Sequence, residues 1–202
     1  MLKKHAVLLG IIISISLLVI ATFFYPGGSQ FDKNSIGYDW KNNFISNLFG
    51  EKSVNGLDNP SRFWAMGGMI SLSISFALFF ITFSEKIPAK GAAKVIKYFG
   101  AGGMLFTFLI VTPLHDTMIT IASTMFLLSL FYITVFIFKS RLRVLKALCI
   151  ICLLIFYGTL FLHGSGLYRM YLPILQKVTF AIAIITVLGL EYFTKKEDFQ
   201  RV

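Results

Sequence analysis

The chain has 202 residues, of which 56% are hydrophobic and 14% charged, with a mean hydropathy of +0.78. A soluble domain is about 45–50% apolar and about 25% charged, so this composition excludes one, and no polar segment is long enough to bury a separate core. The net charge of +10 marks no nucleic-acid binder, because no basic stripe lies on a soluble face.

Apolar residues come in runs of about 20, the length that crosses a bilayer. After a basic start at Met1 to Lys4, His5 to Phe24 is the first such run. It reads as a retained anchor rather than a cleaved signal peptide, being long for one and having no small-residue cleavage site before Tyr25. Residues 25–62 then form a long polar insert, whereas the other connections are short. A long connection in a compact protein is usually functional or disordered; the aromatics and turn residues here predict an ordered lid. Tyr25-Pro26-Gly27-Gly28 stops the first span. Asp39 to Phe49 has helical spacing, with Trp40, Phe44 and Leu48 on one face and Asn42, Asn43, Ser46 and Asn47 on the other. This predicts a short amphipathic helix capped by Asp39, lying in the membrane interface or over the bundle mouth. Asn55-Gly56 is a tight turn, and Asn59-Pro60 reads as N-cap and first position of the next helix.

The second span covers about 63–84. Trp64 suits an interfacial aromatic belt, and Gly67, Gly68, Ser71, Ser73 and Ser75 suit close helix packing. A basic connection leads to a third span, about 98–112, opening with Gly100, Gly102 and Gly103. Pro113-Leu114-His115-Asp116 makes a hairpin into the fourth span, 117–138. The fifth span ends near His163, Gly164-Ser165-Gly166 turns the chain, and Pro173 starts the sixth, which ends near Phe193. The expected fold is all-α: a single domain, 1–202, of six transmembrane helices with an ordered outer loop at 25–62. Of the 19 lysines and arginines, Lys3, Lys4, Lys86, Lys90, Lys94, Lys97, Lys139, Arg141, Arg143, Lys146, Lys195, Lys196 and Arg201 fall on one side. The positive-inside rule makes that side cytoplasmic, with both termini inside and the insert outside.

No Asp, Glu, Lys or Arg stands near the middle of a span, which counts against a charge-moving pump. The groups able to do chemistry gather at the outer helix ends. His115, Asp116 and His163 form a set that can hold zinc with a position open for water, and zinc would turn that water into a nucleophile. Without a metal, Asp116 or His163 can act as a general base. The plainer alternatives are Asp116 as an N-cap, His115 as an interfacial residue and His163 as a C-terminal histidine favoured by the helix dipole. Tyr38, Trp40, Asn43, Asn47, Arg62 and Gln176 are the candidate ligand-binding residues beneath the lid. Arg62 can pair with Asp116 or Asp58, bind a lipid headgroup or snorkel. Gln176 can hydrogen-bond across helices. Cys149 and Cys152 sit inside an apolar run, where cysteine acts as a small hydrophobe. There is no G-x-S-x-G elbow and no glycine-rich phosphate loop.

Tyr25-Pro26-Gly27-Gly28, Gly37-Tyr38-Asp39-Trp40, Asn43-Phe44, Asn55-Gly56, Asn59-Pro60-Ser61-Arg62, His115-Asp116 and Leu172-Pro173-Ile174-Leu175-Gln176-Lys177 together resemble bacterial membrane proteins of the "domain of unknown function 998" type. The resemblance covers most of the chain. It implies a six-helix bundle in a bacterial plasma membrane, and that the outer loop and the His115-Asp116 hairpin belong together; it carries no activity. A weaker similarity, in His, Asp and Ser at helix ends, is to the alkaline ceramidases and adiponectin receptors, which have seven spans and three histidine ligands, whereas this chain has two histidines on one side. The functional expectation is a protein that holds a membrane lipid or small amphiphile in an outward-facing pocket under the lid. The alternatives are a metal-dependent hydrolase at the outer leaflet and a carrier of neutral solutes.

Overall fold

The computed structural model describes residues 2–109 and 114–200, the side chains of 2–4, 115 and 116 excepted. Within those residues the helices are α1 (Leu2–Phe23), α2 (Ser61–Ser84), α3 (Lys90–Leu109), α4 (His115–Lys139), α5 (Arg143–Ser165) and α6 (Leu172–Phe193). All but α3 are long and apolar enough to cross a membrane. α3 has Lys90, Lys94 and Lys97 in its first turns, yet it packs between α2 and α4. The end of the expected third span, 110–112, and Pro113 lie outside the described residues.

Helices α2 to α6 follow one another round a ring, which a contact between α2 and α6 closes. α1 stands outside the ring against α2, with a lighter contact on α6. Small residues permit that approach, as the sequence predicts. The Ser71 hydroxyl donates to the Gly10 carbonyl at 2.8 Å, and a Cβ on Gly10 would come within 2.0 Å of Ser75 Oγ. A Cβ on Gly100 would come within 2.2 Å of the Phe80 ring, which fixes how near α3 lies to α2. Cys149 and Cys152 are both fully buried, as small packing residues.

One end of the bundle, here the tail end, is solid. Phe79, Phe80, Phe83 and the tail residue Phe199 are all buried, and Phe83 meets Phe199 edge-on at 5.8 Å. Lys86 donates to the carbonyls of Glu191 and Thr194 at 3.2 and 3.3 Å, capping the C-terminus of α6, where a cation is favoured. Burial lowers the Lys86 pKa, and Glu191 partly offsets that. The opposite end carries the 25–62 insert and is called the lid end.

The expected amphipathic α-helix of the insert is absent. Residues 40–42 form a turn, Phe44 is extended (φ −73°, ψ 152°) and only Ile45–Phe49 coils, as a 3-10 helix. The physical reason lies in the side chains, because Asn and Asp compete with the helix ladder by bonding nearby backbone. The Asp39 carboxylate accepts the amides of Lys41 (2.9 Å) and Asn42 (3.1 Å), while the Asn43 Oδ1 accepts the Asp39 amide at 2.8 Å. Asp39 therefore caps a turn. The next helix also starts later than predicted. α2 begins at Ser61, with Pro60 at the N-cap. Asn59 is drawn into the lid instead, donating to the carbonyls of Asn47, Leu48 and Gly50 at 3.2, 3.4 and 2.9 Å. The predicted Asn55-Gly56 turn is present, with Gly56 at φ +88°.

A candidate ligand cavity beneath the lid

At the lid end the ring of helices does not fill its own centre. It surrounds a cavity of about 170 Å³. Phe44, Ile45, Ser46 and Phe49 roof it; Met69 and Phe76 of α2, Met104 of α3 and Phe126 of α4 are in its wall, with Leu160 of α5 and Phe180 of α6 opposite. Its floor is aromatic. Phe126 stacks on Phe156 at 4.9 Å and on Phe76 at 6.3 Å. The wall threonines have their hydroxyls occupied: Thr107 donates to Gly103, and Thr159 and Thr179 donate one turn back and meet each other at 2.9 Å. The surface offered to a ligand is thus almost wholly apolar. α1 contributes nothing to it.

A more polar space of about 370 Å³ adjoins this cavity, bordered by Gln30, Phe44, Ser46, Asn47, Ile119, His163 and Gln176. It forms the mouth. His163 stands in the last turn of α5 and is exposed. Ile119 is one turn into α4 from His115. The expected His115–Asp116 chemistry rests on side chains outside the described residues; only the backbone is placed, with both residues opening α4 and Leu114 at the N-cap. Asp116 is therefore the second helical residue and not the cap itself. Among the described residues no three of His, Cys, Asp and Glu cluster to hold a metal.

The predicted ligand residues divide into those that border the mouth and those that build the lid. Gln176 does both: its Oε1 accepts the Ile45 amide at 2.7 Å, tying the lid to α6, and it borders the cavity. Asn47 accepts the Phe44 amide at 2.7 Å and borders the mouth. Asn43 does not border the cavity or the mouth, as a ligand contact would. It is fully buried, with Nδ2 donating to the Gly28 carbonyl at 2.8 Å, and it is the knot of the lid. Its carbonyl accepts the Tyr38 hydroxyl at 3.3 Å and the Lys177 ammonium.

Tyr38 is thus a structural donor. Burial raises its pKa, with Tyr25 and Asp39 adding to the effect, so the phenol keeps the proton it donates. Burial pushes the Asp39 carboxyl up, but the Asn42 side chain, the Lys41 and Asn42 amides and the charge of Lys177 outweigh it and hold the pKa below the usual range. Trp40 packs edge-on against Tyr38 at 5.2 Å and is 56% exposed; it faces out of the lid because the segment is a turn. Arg62 pairs with Glu51 at 3.0 Å, not with Asp58, whose partner is Lys52.

Lys177, which the sequence places beside Gln176 at the start of the sixth span, is a further residue of the site, one to which sequence reasoning assigns no role. It reaches the Asn43 and Pro173 carbonyls and lies over the Tyr38 ring, 5.6 Å from its centre. Its one legible sign is a lysine inside the first turns of an apolar helix, next to Gln176. Comparison with protein-family models, with curated proteins and with solved structures finds no match for the chain.

Proposed function

We propose that this protein binds the apolar end of a lipid or small amphiphile in the cavity under the lid. The observation that carries the reading is an apolar, aromatic-floored cavity roofed by an ordered loop and opening through a polar mouth. An apolar cavity of about 150 Å³ stays dry and binds benzene. The volume here is similar, so it takes a group of about six carbons, the end of a chain and not a whole lipid. The remainder of the ligand passes through the mouth. The reading includes a topology: six spans, both termini cytoplasmic, the lid outside, in a bacterial plasma membrane. The lysine and arginine distribution and the resemblance to the "domain of unknown function 998" type support it, and reporter fusions at the two termini and at 25–62 test it.

The ligand experiment is lipid extraction and mass spectrometry of detergent-purified protein beside Ser123→Leu and Ala183→Leu, which fill the cavity wall. The expected result is one co-purified amphiphile class, reduced at least tenfold in both variants while the helical content is unchanged. Equal lipid in wild type and variants would overturn the reading. The second reading, a hydrolase, has His163 at the mouth in its favour, with His115 and Asp116 as its partners and zinc as the possible metal. Zinc content of wild type beside His115→Ala tests it; no metal in either removes the metal-dependent form.

A further inference from the structure

The cavity says what kind of tail enters; the hydrogen bonds of the lid say what kind of head stays at the mouth. A backbone amide nitrogen can only donate. The Gln176 atom 2.7 Å from the Ile45 amide is therefore its oxygen, and the Gln176 Nε2 is turned away with no hydrogen-bond partner among the described residues. The same argument applies to Asn47. Its Oδ1 takes the Phe44 amide at 2.7 Å and the Asn43 side chain at 3.4 Å, so its Nδ2 is left as a free donor. Both residues border the mouth. The lid thus engages the oxygens of these two carboxamides and leaves their N–H donors without a partner among the described residues, at side chains that border the mouth.

Charge is missing from the same place. Among the described residues bordering the mouth there is no Lys, Arg, Asp or Glu. Of the lid-end cations, Lys177 is committed to two carbonyls and Arg62 to Glu51, while Arg169, exposed in the turn after His163, does not border the mouth. Phosphate and carboxylate heads are recognised by charge-assisted bonds from such cations, and a polar site left unpaired by the wrong ligand rejects it. We propose that the mouth selects an uncharged amphiphile whose head carries a hydrogen-bond-accepting carbonyl, an ester or an amide, held by Gln176 Nε2 and Asn47 Nδ2. This rests on the ligand reading above. Ser46 and His163 can each donate or accept, so hydroxyl groups beyond the carbonyl are tolerated.

The test uses full-length protein in nanodiscs and three probes of similar length: methyl octanoate, undecane and octyl phosphate. Saturable binding of radiolabelled methyl octanoate over empty discs is measured, with the other two as competitors. Methyl octanoate is expected to bind about tenfold more tightly than either. Gln176→Glu and Asn47→Asp each keep the oxygen that the lid uses and remove the free donor. Each is expected to weaken methyl octanoate about tenfold and leave undecane unchanged. Octyl phosphate competing as well as the ester, or variants that bind the ester like wild type, would overturn the proposal. Undecane binding as tightly as the ester would overturn the head selectivity and leave the cavity reading standing. No saturable binding of any probe to wild type would overturn both. The wild-type competition decides the question even if a variant does not fold.

Discussion

At the tail end of the bundle, Phe83 and Phe199 are fully buried against each other, with Phe79 and Phe80 buried beside them. At the lid end, the roof is held by directed bonds: Asn43 to Gly28, Asn59 to three carbonyls, Gln176 to Ile45 and Lys177 to Asn43. Apolar closure is non-directional, so it draws side chains together until the space is filled. Hydrogen bonds fix distance and angle, and they can hold a loop across a void that apolar contacts alone would collapse. An empty space of about 170 Å³ survives at the end closed in the second way.

Four changes would break or sharpen this contrast. The largest effect is expected from Phe199→Ala. Truncating a fully buried Phe costs about 3–5 kcal/mol, read as a lowered thermal midpoint in detergent and faster protease release of the tail, with the lid unaffected. Next is Asn43→Ala, which strands the Gly28 carbonyl and the Asp39 amide. Leaving buried partners unsatisfied costs about 1–3 kcal/mol each. Here the expected readout is faster proteolysis and hydrogen exchange across residues 27–47, with the tail end unchanged. If both variants loosened both ends equally, the two closures would not be independent.

The third change is pH. The Asp39 pKa is lowered in the folded lid, so the group contributes stability that is complete above its ordinary value of 3.8 and is lost as pH falls through the folded value. Lid hydrogen-exchange protection, taken relative to the intrinsic exchange rate at each pH, is expected to fall down to pH 3 in wild type and to stay flatter in Asp39→Asn. The smallest effect is expected from Glu51→Gln. It removes an exposed partner of Arg62, and such pairs contribute about 0–1 kcal/mol. A midpoint shift larger than Asn43→Ala produces would mean that the rim of the lid, not its knot, holds it closed.

Much of the fold was legible beforehand. Runs of about 20 apolar residues predict spanning helices, and among the described residues five helices are long and apolar enough to be of that kind. Gly10, though unmarked in the sequence, and Gly68, predicted as a packing residue, turn out to lie at one close helix contact. The insert was legible as a polar break between two apolar helices, but its internal structure was not. Its four-residue spacing of Trp40, Phe44 and Leu48 mimics a helix, yet local bonds from Asp39 and Asn43 outcompete the ladder. Asn59-Pro60 looked like a helix start because capping needs only local residues, whereas the partners that claim Asn59 lie 9 to 12 residues back.

The sequence by itself determined that the chain is helical, apolar enough to lie in a membrane, and capped by a polar insert between its first two helices. Those properties follow from composition and period, which are local and need no knowledge of neighbours. Only the tertiary structure decided that α1 stands outside the ring, that Asn43 is buried rather than exposed to ligand, and that Gln176 and Lys177 meet a loop more than 130 residues away. It also decided that a cavity remains. A void is a property of how side chains from six separate segments fail to meet, and no single segment carries that information.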